Sequence, residues 1–279
     1  MSQRTLQHII PSHPSSDGDG VKIRRVAMFD LPATDPFLML DELSSDNPDD
    51  YIGGFPPHPH RGMETLTYLR HGSLEHRDHL GNRGLITSGG AQWMSAGRGI
   101  IHSEMPALDM QLLHGFQLWI NLPAKDKMSA PKYRDVPAAE IPQLEFPQAQ
   151  VQVIAGAWNI NGQSSEGPLM DLAADAGYLD IHLQAGASLT LTTPAEQRVI
   201  ALVYKGQLNT SPQAPEKSLL VFGQGDELKL QAVNDAGLIL LRGTPIREKV
   251  VHYGPFVMNS TEEIQQAIAD YNSGRFGRD

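Results

Sequence analysis

The sequence predicts an all-β fold: two antiparallel β domains in tandem, followed by one short helix. Across 279 residues, 26 Gly and 20 Pro fall as punctuation between short runs of alternating apolar and polar residues, the pattern of a sandwich or barrel. Helical periodicity is scarce. Residues 64–70 (ETLTYLR), 91–95 (AQWMS) and 116–122 (FQLWINL) read as strands, the last with Phe116, Leu118, Ile120 and Leu122 on one face. Turns at His71-Gly72-Ser73, Gly81-Asn82 and Gly97-Arg98-Gly99 separate them. A stretch rich in Pro, Ala and Gln from about residue 123 to 150 reads as a connection. Beyond it, residues 151–160, 179–184, 189–193, 199–204, 219–222 and 238–241 are again short strand-like runs. Ser260-Thr261-Glu262-Glu263 fits a capping box, and Ile264, Ala267, Ile268 and Tyr271 continue it with helical spacing to a stop at Asn272-Ser273-Gly274. A helix this short is marginal alone, so its apolar stripe is expected to dock on a β face.

Composition narrows the function. The chain is 40% hydrophobic and 19% charged, enough to bury a core, and 22 Lys and Arg against 32 Asp and Glu give a net charge of -10. That balance argues against direct nucleic-acid binding and against charge anchoring on a membrane. With no cysteine there is no disulfide, thiolate metal site or cysteine nucleophile, so any metal takes nitrogen and oxygen ligands. The first residues, MSQRTLQHIIPSHPSSDGDG, lack the apolar core of a signal peptide, and runs such as 199–204 fall short of a membrane span. A soluble, cytoplasmic protein with small-molecule or protein partners is expected.

Histidine marks where the chemistry lies. Seven of the eleven fall between His58 and His114, where even spacing gives roughly two. In PPHPHRGMETLTY, His58 and His60 are two apart; in an extended strand they point to one face and reach one ion. A second such pair, His102 and Glu104, stands in GRGIIHSEM. Two facing pairs inside a barrel make a site of three histidines and one carboxylate, suited to Fe(II), Mn(II), Ni(II), Cu(II) or Zn(II). Glu64, four after His60 and of the same parity, competes with Glu104 as the fourth ligand or orients one of the others. His76 and Asp78 in EHRDH also have chelating spacing, but Glu75, Arg77 and His79 around them suggest a solvated strand end. His114 and His182 read as structural, and Arg98 between two glycines as a turn residue or an anion contact.

With these motifs in view, the sequence resembles the pirin family of the cupin superfamily nearly end to end. The resemblance rests on DPFLMLDE (35–42), PPHPHRGMETLTY (56–68), EHRD with GNRG (75–84), QWMSAGRGIIHSEMP (92–106) and ADYNSGRFG (269–277). It implies a bicupin: two tandem cupin β-barrels, or double-stranded β-helices, with a short C-terminal helix. The corresponding boundaries are 1–130 for a metal-binding barrel, 131–150 for the connection, and 151–279 for a second barrel ending in a helix at about 260–273. The resemblance implies His58, His60, His102 and Glu104 as ligands to one divalent ion, foremost Fe(II), with Cu, Ni, Mn, Co or Zn as alternatives, and leaves Glu64 uncoordinated. The second half has no H-x-H and only His182 in its strand-rich core, so a second metal is not expected.

Some bacterial members resemble quercetin 2,3-dioxygenases, which open the central ring of a flavonol with O2 and release carbon monoxide. On that reading the partners are a flavonol-like aromatic and O2, and Glu104 is the catalytic base. The rival reading, implied by resemblance to eukaryotic pirins, is a redox-sensitive, iron-binding regulator acting through a protein partner. A relic site in a structural module is the third. A monomer is consistent with two barrels in one chain.

Overall fold

The computed structural model describes residues 2–107 and 111–278. Among the described residues, the chain forms two compact units of one build, each a seven-stranded and a four-stranded antiparallel sheet. One unit, rich in histidine, comprises Pro14–Asp30, Phe37–Ala138 and Ile246–Asp279; the second comprises Met1–His13, Leu31–Pro36 and Ala139–Pro245.

In the histidine-rich unit the large sheet runs, in spatial order, Lys132–Val136, Ala91–Ser95, Met63–His71, Leu113–Asn121, Phe37–Ser45, Val21–Ala27 and His13–Asp17. The small sheet runs Phe55–His60, Ile100–Pro106, Ser73–Asp78 and Arg83–Thr87. The period-two reading of 116–122 holds, for Phe116, Leu118 and Ile120 are buried together while Gln117 and Trp119 take the opposite face. Apolar side chains here form several small clusters, because His60, Thr67, His76, Gln92, His102 and Glu104 are buried in the same unit.

The second unit differs in its filling. Val151, Val153, Leu179, Ile181, Leu183, Leu238 and their neighbours make one continuous apolar cluster, each large side chain worth about 1.5–3 kcal/mol of burial. His182 alternates out of that core and meets the Tyr204 hydroxyl at 3.0 Å. Among the described residues, no helix is long and apolar enough to cross a membrane.

The compact units depart from the expected boundaries at three places. The N-terminal strand Leu6–Pro11 pairs with Ser218–Phe222 and so belongs to the second unit, not to the first barrel. The expected connection contains two strands, Lys132–Val136 and Gln143–Phe146, which edge the two large sheets. The terminal helix, Thr261–Asn272, forms with its capping box as expected, yet it joins the histidine-rich unit. Its buried Ile264 and Ala267 pack with Phe256, Met258 and Phe276, and Ile101 of the small sheet packs against this cluster. A hairpin, Val251–Tyr253 with Phe256–Met258, leads into it.

Candidate metal centre

The small sheet builds the centre. Phe55–His60 and Ile100–Pro106 pair antiparallel with His102 opposite His58 and Ile100 opposite His60. Alternation turns His58, His60 and His102 to one side. Their ring centroids lie 4.4–5.0 Å apart, and one nitrogen from each falls within 4.8 Å of the others. Among the described residues no other group of three or more His, Asp or Glu is placed in this way.

Each ring is oriented by a different partner. His58 donates from Nδ1 to the Pro56 carbonyl at 2.8 Å, which leaves Nε2 with its lone pair. His60 hydrogen-bonds the Pro255 carbonyl of the C-terminal hairpin. Nδ1 of His102 lies 3.2 Å from Nδ1 of His76. Nδ1 of His60 and Nε2 of His102 are buried without a hydrogen-bond partner, an arrangement that costs about 1–3 kcal/mol per group. Burial, with the charge of His58 added, pushes the pKa of His60 well down; burial, followed by His60, His58 and His76, does the same to His102. Neutral imidazoles with unused lone pairs are the donors a divalent ion requires, so these residues fit the expected metal.

The carboxylates are placed differently. Glu104 is buried, but a register shift separates it from His102, and it stands outside the three-histidine group. It accepts from Gln117 Nε2 at 2.8 Å and from Thr67 Oγ1 at 3.2 Å, both on the large sheet. Glu64 is buried on Met63–His71 and is also outside the group.

His76 and Asp78 correct the expectation of a solvated end. Their side chains are 1% and 0% exposed, because Glu75 and Arg77 occupy the outer parity of the strand and His76 and Asp78 the inner one. The alternation in EHRD outweighs the charge of its neighbours. His114 lies 3.3 Å from Glu42 and is outside the three-histidine group, and the backbone N–H of Arg98 donates to the Ser129 carbonyl.

A cavity of about 670 Å³ opens on His58 and His60, within the 300–1,000 Å³ of small-molecule sites. Phe29, Met39, Phe55 and Trp119 supply apolar walls, and Gln117 a polar contact. Trp119 stands perpendicular to His60 at 5.1 Å, and Phe29 is stacked on His252 at 3.9 Å. The hairpin therefore contributes to the cavity through His252, Gly254 and Pro255, a role its three-residue strands gave no periodic signal for.

The family described as Pirin matches residues 20–120, and the Pirin C-terminal cupin domain matches residues 178–277. A Vibrio cholerae protein provisionally named quercetin 2,3-dioxygenase is 50% identical over 275 residues, 98% of each chain. Human pirin is 36% identical over 287 residues, 99% of this chain and 95% of that one. Among solved structures, a quercetin 2,3-dioxygenase from Acinetobacter baumannii has a TM-score of 0.91 at 30% identity over 99% of both chains. A bacterial pirin from Escherichia coli, solved with nickel(II), has a TM-score of 0.63 over 85% of this chain and 99% of that one; at 22% identity it is a likeness of fold.

Proposed function

Because the chain belongs to the pirin family and is built as two cupin domains, we propose that it is a metal-dependent dioxygenase of the quercetin 2,3-dioxygenase type, opening a flavonol ring with O2. The observation that carries this reading is a cluster of three histidines, two of which, His58 and His60, line a cavity walled by aromatic side chains. An interaction surface for a protein needs no such cavity. The names of the Vibrio and Acinetobacter relatives support the same reading.

His58, His60 and His102 hold the ion, with Glu104 as the fourth ligand and Fe(II) as the physiological metal. When bound, the ion supplies Lewis acidity toward the flavonol hydroxyl. Glu104 takes the hydroxyl proton; it is a buried carboxylate that accepts from two neutral donors, Gln117 and Thr67. Phe29 and Trp119, which line the cavity, receive flat rings.

The test is O2 uptake on adding quercetin to protein of known metal content. Wild type is expected to consume O2, and His58→Ala to bind no stoichiometric metal and consume none. Glu104→Gln is expected to retain metal and lose turnover by about 10²–10⁴-fold; undiminished turnover would remove the base role. Loss of metal from Glu64→Gln but not from Glu104→Gln would reassign the fourth ligand. No uptake by metal-loaded wild type would overturn the dioxygenase reading and leave the regulator, whose readout is metal-dependent binding of a protein partner.

A further inference from the structure

We infer that His76 and Asp78 form a positioning dyad that fixes the tautomer of His102, so that its Nε2 presents a lone pair to the metal. The inference rests on the metal reading of the three histidines and extends it to residues outside the ligand set.

Asp78 Oδ1 accepts from the backbone N–H groups of Leu80 and Asn82, each at 3.0 Å, and Oδ2 accepts from Asn82 Nδ2 at 2.7 Å. A carboxylate so surrounded accepts only. His76 Nε2, at 3.4 Å from Oδ2, is therefore the protonated nitrogen of that ring. With the ring proton placed on Nε2 against Asp78, Nδ1 of His76 is left as the acceptor. It lies 3.2 Å from Nδ1 of His102 in a buried contact, and two lone pairs do not face each other there. Nδ1 of His102 is thus the donor, and Nε2 of His102, buried without a partner, keeps its lone pair.

The surroundings hold the dyad in register. Tyr133 lies over His76 with ring centroids 4.6 Å apart, and its hydroxyl is tied to Asp135 at 2.6 Å and to Gln92 at 2.9 Å. Gly84 is the cross-strand neighbour of His76, and a Cβ there would overlap the Asp135 carboxylate and the Tyr133 hydroxyl. The glycine leaves room for the aromatic cover. Asp78 faces His102 directly in the ladder, so the dyad and the ligand are adjacent on paired strands.

Asp78→Asn is the discriminating variant. Its amide oxygen keeps the two backbone N–H groups, while its NH2 faces His76 Nε2 and reverses the polarity of the chain. Two measurements are made on metal-free full-length protein: imidazole ¹⁵N shifts, which report each tautomer, and nickel(II) affinity by calorimetric titration. We expect His102 to be the Nδ1–H tautomer in wild type and the Nε2–H tautomer in Asp78→Asn, with nickel(II) affinity reduced about 10–100-fold. His76→Phe keeps the stacking on Tyr133 but removes the acceptor, and is expected to lose affinity by a similar factor. An unchanged tautomer in Asp78→Asn, or equal affinity in wild type and variant, overturns the dyad. Wild type that binds no nickel(II) or iron(II) overturns the metal reading instead, and the ¹⁵N shifts still decide whether the dyad sets the tautomer.

Discussion

Three imidazoles held within 5.0 Å of one another make the metal-free protein sensitive to acid in a calculable direction. Burial pushes His60 and His102 below the ordinary histidine range. The unfolded chain therefore takes up protons at these groups as pH falls below roughly 6.5, while the folded chain does not. Stability from this source is complete above that pH and declines below it, by up to about 1.4 kcal/mol per pH unit for each group. Denaturant midpoints of metal-free protein at pH 7.5, 6.5 and 5.5 should fall mainly across the last interval, and the fall should shrink in His102→Leu. A midpoint independent of pH would contradict the assignment of two buried neutral histidines. At this scale the sequence was informative wherever period two placed side chains on a common face, as with His58, His60 and His102. It misled at His76, where parity and local charge disagreed and parity governed. Neither Gln117 nor Thr67, which hold Glu104, has a spacing that marks it as a partner of Glu104; the packing of one sheet on another brings them to it.

The strand that carries His58 and His60 is anchored from the far side by the C-terminal hairpin. Arg61 N–H donates to the Pro255 carbonyl, Val257 N–H to the Arg61 carbonyl, and the Arg61 guanidinium to Asp270 of the helix at 2.9 Å. Lys127 closes the same seam, with Nζ donating to Gly62 O, Asn121 Oδ1 and Val257 O at 2.7–3.0 Å. Gly62 has φ +79, and a Cβ there would overlap the Val257 carbonyl oxygen. Gly62→Ala should thus combine left-handed strain of about 1–2 kcal/mol with displacement of the hairpin. The expected result is a lower melting temperature together with weaker metal binding, since the displaced Pro255 carbonyl no longer orients His60. Retained affinity at a lowered melting temperature would show that the hairpin stabilises the unit without orienting the ligand. Among the elements, the capping box made the helix legible and strict alternation made the longer strands legible. The hairpin and the strand Lys132–Val136 are too short, and the latter too charged, to stand out from the Pro-rich sequence around them.

For the molecule as a whole, the notable arrangement is the ownership of the chain's ends. Segment 246–279 supplies the histidine-rich unit with Phe256, Met258, Ile264, Ala267 and Phe276, and its cavity with His252 and Pro255. The apolar core of the second unit draws on none of it, since every member lies between Leu144 and Leu240. Truncation after Pro245 should abolish metal binding and strip hydrogen-exchange protection from Phe55–His60 and Ile100–Pro106. Protection of Gly177–Leu183 and Ala236–Gly243 should persist. Equal loss from both groups of strands would show that the two units fold as one. Neither unit's use of distant segments was readable from sequence, where the Pro-rich stretch carries no sign of the exchanged ends. That exchange bears on synthesis. Residues 14–30 and 37–138 are made before residues 139–245, yet their unit lacks part of its cavity wall and its Arg61 anchor until those residues and then segment 246–279 have followed. The half of the protein that is made first is completed last, and the histidines gain their full surroundings only after the other barrel has been made.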